Sequence, residues 1–384
     1  MSRAHWENCI AHFGEAVEAF ATEYFGDPKR KCLLVAAAGF DPRSRRIAEL
    51  LAPRLGARLR ALFIREERGR PDPRLVQAAQ ENENVLCALI PAHEVVRVDV
   101  FGDDDAPVGP SRVAKALRDL SIGDDITDIV LDMTALSIGI GFPAARLLLQ
   151  ACEATSGRAF HVMIASNPNL DDRIAGEPGG RAMAVKGFAG EDNSGSALEV
   201  ARIWVPQLAP GKTAALDEIA RSVGQCYKIC PMLPFPARNP RRGDALLTEH
   251  RTALVDDWQV DPRDIVYVSE RNPLDCYRTL STLAERHRRA VADIFAPSIV
   301  VSPIGSKVVA AGAMMAAIEH DLTIQYIETV RYDFDASVPA QEEEADNNDL
   351  VHLLLSGPAY GDYLRAAGGE MSEPARTTDG VDAG

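Results

Sequence analysis

From residue 31 onward the chain alternates short apolar runs of strand length with longer amphipathic stretches of helix length, and this alternation restricts the fold more than any other feature. KCLLVAAAGF (31–40) reads as a buried strand entering a loop, and SRRIAELLAPRLG (44–56) as the helix behind it. Strands at 58–64, 95–100, 127–132 and 159–165 and helices at 73–90, 111–120 and 139–152 continue the series. Strands separated by segments this long do not pair as hairpins; they form a parallel sheet with helices on both faces. Ahead of them, Trp6, Cys9, Ile10, Phe13, Val17, Phe20 and Phe25 recur at helical intervals and predict an amphipathic helix over 5–25.

A second series follows, with strands at 201–205, 225–230, 264–268, 297–302 and 323–328 and helices at 212–223, 242–257, 273–290 and 306–319. The 384 residues, 46% hydrophobic and 25% charged, supply two cores of ordinary size. The expected plan is an N-terminal helix plus a first Rossmann-like unit over 1–166 and an irregular Gly-, Asp- and Asn-rich connection over 167–200. A second Rossmann-like unit with a terminal helix covers 201–365, and a disordered tail covers 366–384. Within the second unit, Glu342, Glu343, Glu344 and Asp346 predict a solvated loop by mutual repulsion, and Leu353, Leu354 and Leu355 a short terminal helix.

The two series resemble each other. Residues 127–166 and 296–329 share the order strand, polar turn, small-residue helix, strand, which sets Asp132-Met133-Thr134 opposite Ser302-Pro303-Ile304. Upstream, Phe40-Asp41-Pro42-Arg43 pairs with Phe235-Pro236-Ala237-Arg238, and an extra stretch around 93–125 accounts for the change in separation between the two pairings. The fold class is thus α/β, two Rossmann-like, mostly parallel-sheet units related by internal duplication, or else two unrelated units sharing the same elementary plan.

A formal charge of −15 opposes the counterion-release binding that long nucleic acids and anionic membranes favour, while a small anionic ligand needs only a local cluster of Arg and Lys. No apolar run reaches the roughly 18 residues of a membrane span, and His, Glu and Trp occupy the first twenty positions where a signal peptide needs an apolar core, so a cytoplasmic protein is expected. The seven scattered cysteines suit reduced, buried thiols; Cys226 and Cys230, without a second pair or a nearby His, make a poor zinc signal, and no metal site is expected. The eight histidines lie apart in sequence and form no catalytic or metal spacing. No G-x-S-x-G elbow and no G-x-G-x-x-G turn occurs, so catalytic residues and cofactor stay unassigned.

In parallel sheets ligands gather beyond the carboxyl ends of the strands, where helix N-termini offer free N–H groups. Four turns fall there: Gly39–Ser44, Asp132–Ser137, Phe235–Arg242 and Ser302–Lys307. Gly305, Ser306 and Lys307 combine close backbone approach, a hydroxyl and a charge, as a phosphate loop does, or are a helix cap beside an exposed Lys. Asp41 precedes Pro42 and reads as a helix cap, with Arg43 as a contact for an anion. Asp132 with Thr134 reads as a ribose or metal contact, or again as a cap; Arg238, with Arg241 and Arg242, as a ligand contact or a solvated loop. Gly211-Lys212-Thr213 lacks the first glycine of a Walker loop and reads as a helix start.

The segment from 297 to 328, in which Gly305-Ser306-Lys307 introduces an alanine-rich helix, resembles the last βαβ unit of CRISPR-associated Rossmann-fold (CARF) domains. With the matching stretches at 33–46 and 127–146, two such units in one chain resemble the related SAVED domains, which look like fused CARF pairs. The resemblance implies a cyclic-nucleotide site at Gly305, Ser306 and Lys307 and a sensing role in bacterial antiviral defence, without a recognisable effector domain beside it. The expected function is a module binding a nucleotide-like anionic small molecule between the halves, acting on a possible effector protein subunit. The alternatives are a nucleotide-metabolising hydrolase or transferase using Asp41, Asp132 or Glu270 as acid, base or metal ligand, and a scaffold subunit of a larger complex.

Overall fold

The computed structural model describes residues 6–190, 198–291, 294–334 and 349–360; the acidic stretch at 342–346 and the tail from 366 lie outside them. The chain opens with β1 (Ile10–Phe13) and α1 (Glu15–Tyr24), then alternates through β2 (Cys32–Ala37), α2 (Arg46–Leu55), β3 (Leu59–Glu67), α3 (Pro73–Leu89), β4 (His93–Asp99), α4 (Gly109–Asp119), β5 (Asp128–Asp132), α5 (Ile138–Glu153) and β6 (Ala159–Ser166). Strands β2, β5 and β6 are buried along their whole length, as a sheet covered on both faces requires. The segment expected to be irregular carries α6 (Pro168–Arg173), β7 (Ala175–Pro178) and β8 (Met183–Ala189). There follow β9 (Val200–Pro206), α7 (Thr213–Val223), β10 (Lys228–Ile229), β11 (Met232–Pro234), α8 (Arg242–Glu249), β12 (Val266–Val268), α9 (Pro273–Val291), β13 (Ala296–Ser302), α10 (Lys307–His320), β14 (Thr323–Tyr326), β15 (Thr329–Asp333) and β16 (Asp349–Ser356).

Seven strands form the first sheet in the order β1-β16-β6-β5-β2-β3-β4, of which β6 through β4 run parallel. The second sheet has the order β10-β9-β13-β14-β8. Its β10 and β11 are one strand broken at Cys230 and Pro231, because the pairing with β9 keeps the same register from Ile203–Lys228 to Gln207–Met232. Strand β12 then pairs parallel to β11. In chain order both sheets therefore read third, second, first, fourth, fifth strand, followed by an antiparallel neighbour, β16 in one and β8 in the other.

Four pairs of equivalent strand ends are 167–170 residues apart: Ala37 and Pro206, Glu67 and Pro234, Asp99 and Val268, Asp132 and Ser302. This topology keeps the Asp132–Ser302 pairing and replaces the upstream one. The turn after β2 corresponds to Gln207–Lys212, whereas Phe235–Arg238 follows the second strand.

Two expectations fail for one physical reason, the pairing of distant edges. Ile10–Phe13 is not helical but pairs antiparallel with β16, and the helix begins only after Gly14, whose φ of 56° breaks the strand. Leu353, Leu354 and Leu355 belong to strand β16 instead of a terminal helix, and β16 inserts between β1 and β6, so the last described segment completes the first sheet. The sequence intervals in 6–25 suit a helix, but the first sheet supplies an apolar edge that outweighs them.

The same pairing overturns the reading of isolated histidines. His12, His352 and His161, on neighbouring strands, bond in series through His12 Nδ1–His352 Nδ1 (2.9 Å) and His352 Nε2–His161 Nδ1 (2.9 Å), and His161 Nε2 meets Asp128 Oδ1 at 3.1 Å. Phe20 stacks on His12 and His352. The seven cysteines are free.

One hydrophobic core runs through both units, joining α5 and the first sheet to α9, α10 and the second. Helix α10, apolar on every side, sits at its centre; a Cβ at Gly312 would come within 2.2 Å of the Pro273 carbonyl oxygen, so only glycine lets α9 approach this closely.

Candidate functional site

The carboxyl ends of β2, β3, β5, β9 and β13 open onto a single cavity of about 420 Å³ between the two sheets. Each candidate turn is built by local capping. Asp41 accepts the Arg43 N–H (2.9 Å) and so starts the turn at Pro42, as its position before a proline requires. It also binds the Arg43 guanidinium at 2.7 Å, and Asp171, from α6, takes the same guanidinium at 2.7 Å. Arg43 is 4% exposed. Burial works against its charge, but Asp41 and then Asp171 more than offset it and raise its pKa. Asp41 and Arg43 line the cavity as a neutralised pair with a second carboxylate attached, not as a free cation.

Asp132 ends β5 and accepts the Thr134 N–H (2.9 Å); Thr134 Oγ1 accepts the Ala165 N–H (2.9 Å). Both side chains thus hold the turn itself. Thr134 lines the cavity, whereas Asp132, 1% exposed, lies behind the lining, and burial pushes its pKa up to about 7. Arg238 is exposed and off the cavity; its backbone N–H is held by Glu270 (2.9 Å). Its neighbour Arg242 reaches the cavity, paired with Asp172 (2.7 Å) and Glu270 (2.8 Å).

Gly305, Ser306 and Lys307 all line the cavity. Gly305 donates its N–H to Gln207 Oε1 (3.1 Å), and a Cβ there would lie 2.5 Å from Gln207 Nε2, so the glycine is what lets the turns after β13 and β9 touch. Ser306 caps α10 by accepting the Val308 N–H (3.2 Å). Lys307 crosses between the units, its Nζ donating to the Leu136 carbonyl before α5. Burial lowers its pKa, which Glu66 and Asp171 counter.

The site also contains residues outside the four candidate turns. Glu66 and Arg68, at and after the end of β3, pair at 3.0 Å, and Arg68 reaches the buried Glu328 at 3.8 Å. Burial raises the Glu328 pKa to about 7. Lys212 starts α7, as expected of a helix start, yet its side chain lines the cavity with no hydrogen bond or ion pair among the described residues, and burial lowers its pKa. Its signal was Gly211-Lys212-Thr213, set aside for lacking the Walker spacing; what matters is that it follows the first strand of its sheet.

The charges of the cavity thus divide into two kinds. Arg43, Arg68 and Arg242 are committed to carboxylates, and the rim carboxylates Glu67 and Asp72 are paired with Arg97 and Arg74. Lys212 and Lys307, each at the start of a helix, have no carboxylate partner among the described residues, and neither has the exposed Arg331 of β15, which also lines the cavity. The acids proposed for catalysis are all engaged: Asp41 with Arg43, Asp132 with its own turn, Glu270 with Arg242. Among the described residues no group of three or more His, Cys, Asp or Glu is placed to hold a metal ion, and no helix is long and apolar enough to cross a membrane.

No family model matches the chain, and no curated protein matches it. Among solved structures it is similar to the CcbJ methyltransferase from Streptomyces caelestis at 15% identity and a TM-score of 0.20, over 44% of this chain and 58% of that one.

Proposed function

We propose that the protein binds a nucleotide-like anionic small molecule in the cavity between its two units and passes the bound state to a partner subunit. The observation that carries this reading is the pair Lys212 and Lys307. Two ammonium groups without carboxylate partners face one cavity from the starts of α7 and α10, where helix dipoles already favour negative charge. Their lowered pKa values record a cost of burial that an anion removes.

The equal spacing of four strand ends supports descent of the units from one ancestor by duplication, which sets their ligand edges face to face. The CARF and SAVED resemblance at Gly305, Ser306 and Lys307 agrees with this reading and extends it to sensing in antiviral defence. Incubation with a panel of linear and cyclic nucleotides, followed by mass spectrometry of what remains bound, tests it. Unchanged nucleotide retained by the wild type and lost from Lys212→Ala and Lys307→Ala is expected; a converted product recovered instead makes the protein an enzyme, and no retained nucleotide removes the reading.

A further inference from the structure

The serine that starts α5 is built unlike the serine that starts α10. Both follow the fourth strand of their sheet, and Ser306 caps its helix in the usual way. Ser137 has the extended backbone of a cap, with φ −65° and ψ 157°, but its Oγ accepts nothing from α5. The residue is 5% exposed, lines the cavity, and its Oγ has no hydrogen-bond partner among the described residues. A buried hydroxyl without a partner is unfavourable; closed to the cavity in this rotamer, it needs only a turn about its one side-chain torsion to meet a partner that arrives with the ligand.

The surroundings select the chemistry of that partner. The Ser137 N–H donates to Glu66 Oε1 at 2.8 Å, and Glu66 Oε2 receives Arg68 at 3.0 Å, leaving each oxygen a further lone pair for a donor. The buried Glu328 lies against the first turn of α5, where a Cβ at Gly139 would come 2.4 Å from its Oε1. An anionic group here meets Glu66 and Glu328; an apolar group leaves Oγ unpartnered. A neutral group that both donates and accepts satisfies the site, and neighbouring hydroxyls on a sugar do so.

Glu66 also stands one residue before the end of β3, the second strand of a 3-2-1-4-5 sheet, the place from which an acidic side chain reaches ribose hydroxyls in Rossmann-type sites. We infer that Ser137 and Glu66 form a subsite for the vicinal hydroxyls of the ligand's sugar, beside the Lys307 that holds its charge. This inference rests on the cleft reading and orients the ligand within it, sugar toward α5 and anionic group toward α7 and α10.

Titration calorimetry of the full chain with ATP and with its 2′,3′-dideoxy analogue tests both statements separately. The wild type is expected to bind ATP about tenfold more tightly than the analogue, the discrimination of a site built around a hydroxyl. Ser137→Ala is expected to bring ATP down to the level of the analogue, to leave the analogue unchanged, and to keep or raise the melting temperature, since it removes an unpartnered group. Lys307→Ala is expected to weaken both probes by the same factor. Equal affinity for the two probes in the wild type, or an undiminished preference in Ser137→Ala, overturns the sugar subsite while the cleft stands. Binding of neither probe overturns the cleft reading and the subsite with it.

Discussion

Arg43 and Lys307 read alike in the sequence, each a cation after a strand-to-helix turn, but their environments give their removal opposite consequences. Arg43→Ala leaves Asp41 and Asp171 facing each other without a cation and is expected to destabilise the fold by roughly 3–5 kcal/mol in denaturant titration. Lys307→Ala removes a half-buried ammonium whose charge the fold disfavours, and is expected to change stability by under about 1 kcal/mol. Asp132 makes a second prediction at this scale. Its pKa rises from 3.8 to about 7 on folding, so its contribution to stability is complete below pH 3.8 and is lost as the pH rises through 7. Asp132→Asn, which keeps an acceptor for the Thr134 N–H, is expected to abolish that loss; an unchanged slope of stability against pH between 4 and 7 would contradict the assignment.

Among the elements, β1 and β16 depend on imidazoles that stay neutral. Burial lowers the pKa of His352 well below 6.5 and lowers that of His12; the neighbouring His161 opposes a charge on either, and His12 opposes one on His352. The groups facing the chain are Phe20 and Tyr24 of α1 and Asp128 of β5, with Arg30 at 3.7 Å from Asp128. Because the folded values lie below the unfolded 6.5, the stability these histidines contribute is complete above pH 6.5 and is lost as the pH falls below it toward the depressed folded values. Amide exchange is expected to accelerate in β1 and β16 between pH 7.5 and 5.5 before it does so in β2 and β5. His352→Phe is expected to remove most of that pH dependence.

At the scale of the whole molecule, the two units are not separable pieces. The first sheet needs β16 to cover β6, and one core spans α5, α9 and α10. A fragment ending at residue 190 therefore exposes the edge of β6, a template for non-native pairing. It is expected to elute as aggregate or to lack a cooperative melting transition; a monomeric, cooperatively folding fragment would show that the units are independent.

The alternation of periods and the Gly, Pro and Ser turns are local properties of the chain, written in consecutive residues, so the parallel units, most strand and helix positions and the four turns were legible without the fold. Asp41, Thr134, Gly305, Ser306, Lys307 and Arg43 were placed at the cavity by the same logic, since strand ends in a parallel sheet share one edge. What no local pattern carried was who pairs with whom across hundreds of residues. Strand β1 carries helical intervals and β16 a short apolar run interrupted by His352, and only the uncovered edge of β6 makes them strands. Whether Arg43 is a free charge or a neutralised one depends on Asp171 arriving from α6, and Lys212 becomes a ligand candidate only because β9 leads its sheet. Capping and periodicity are decided within a few residues, whereas edge pairing and charge neutralisation are decided by burial, and burial exists only once the chain has closed on itself.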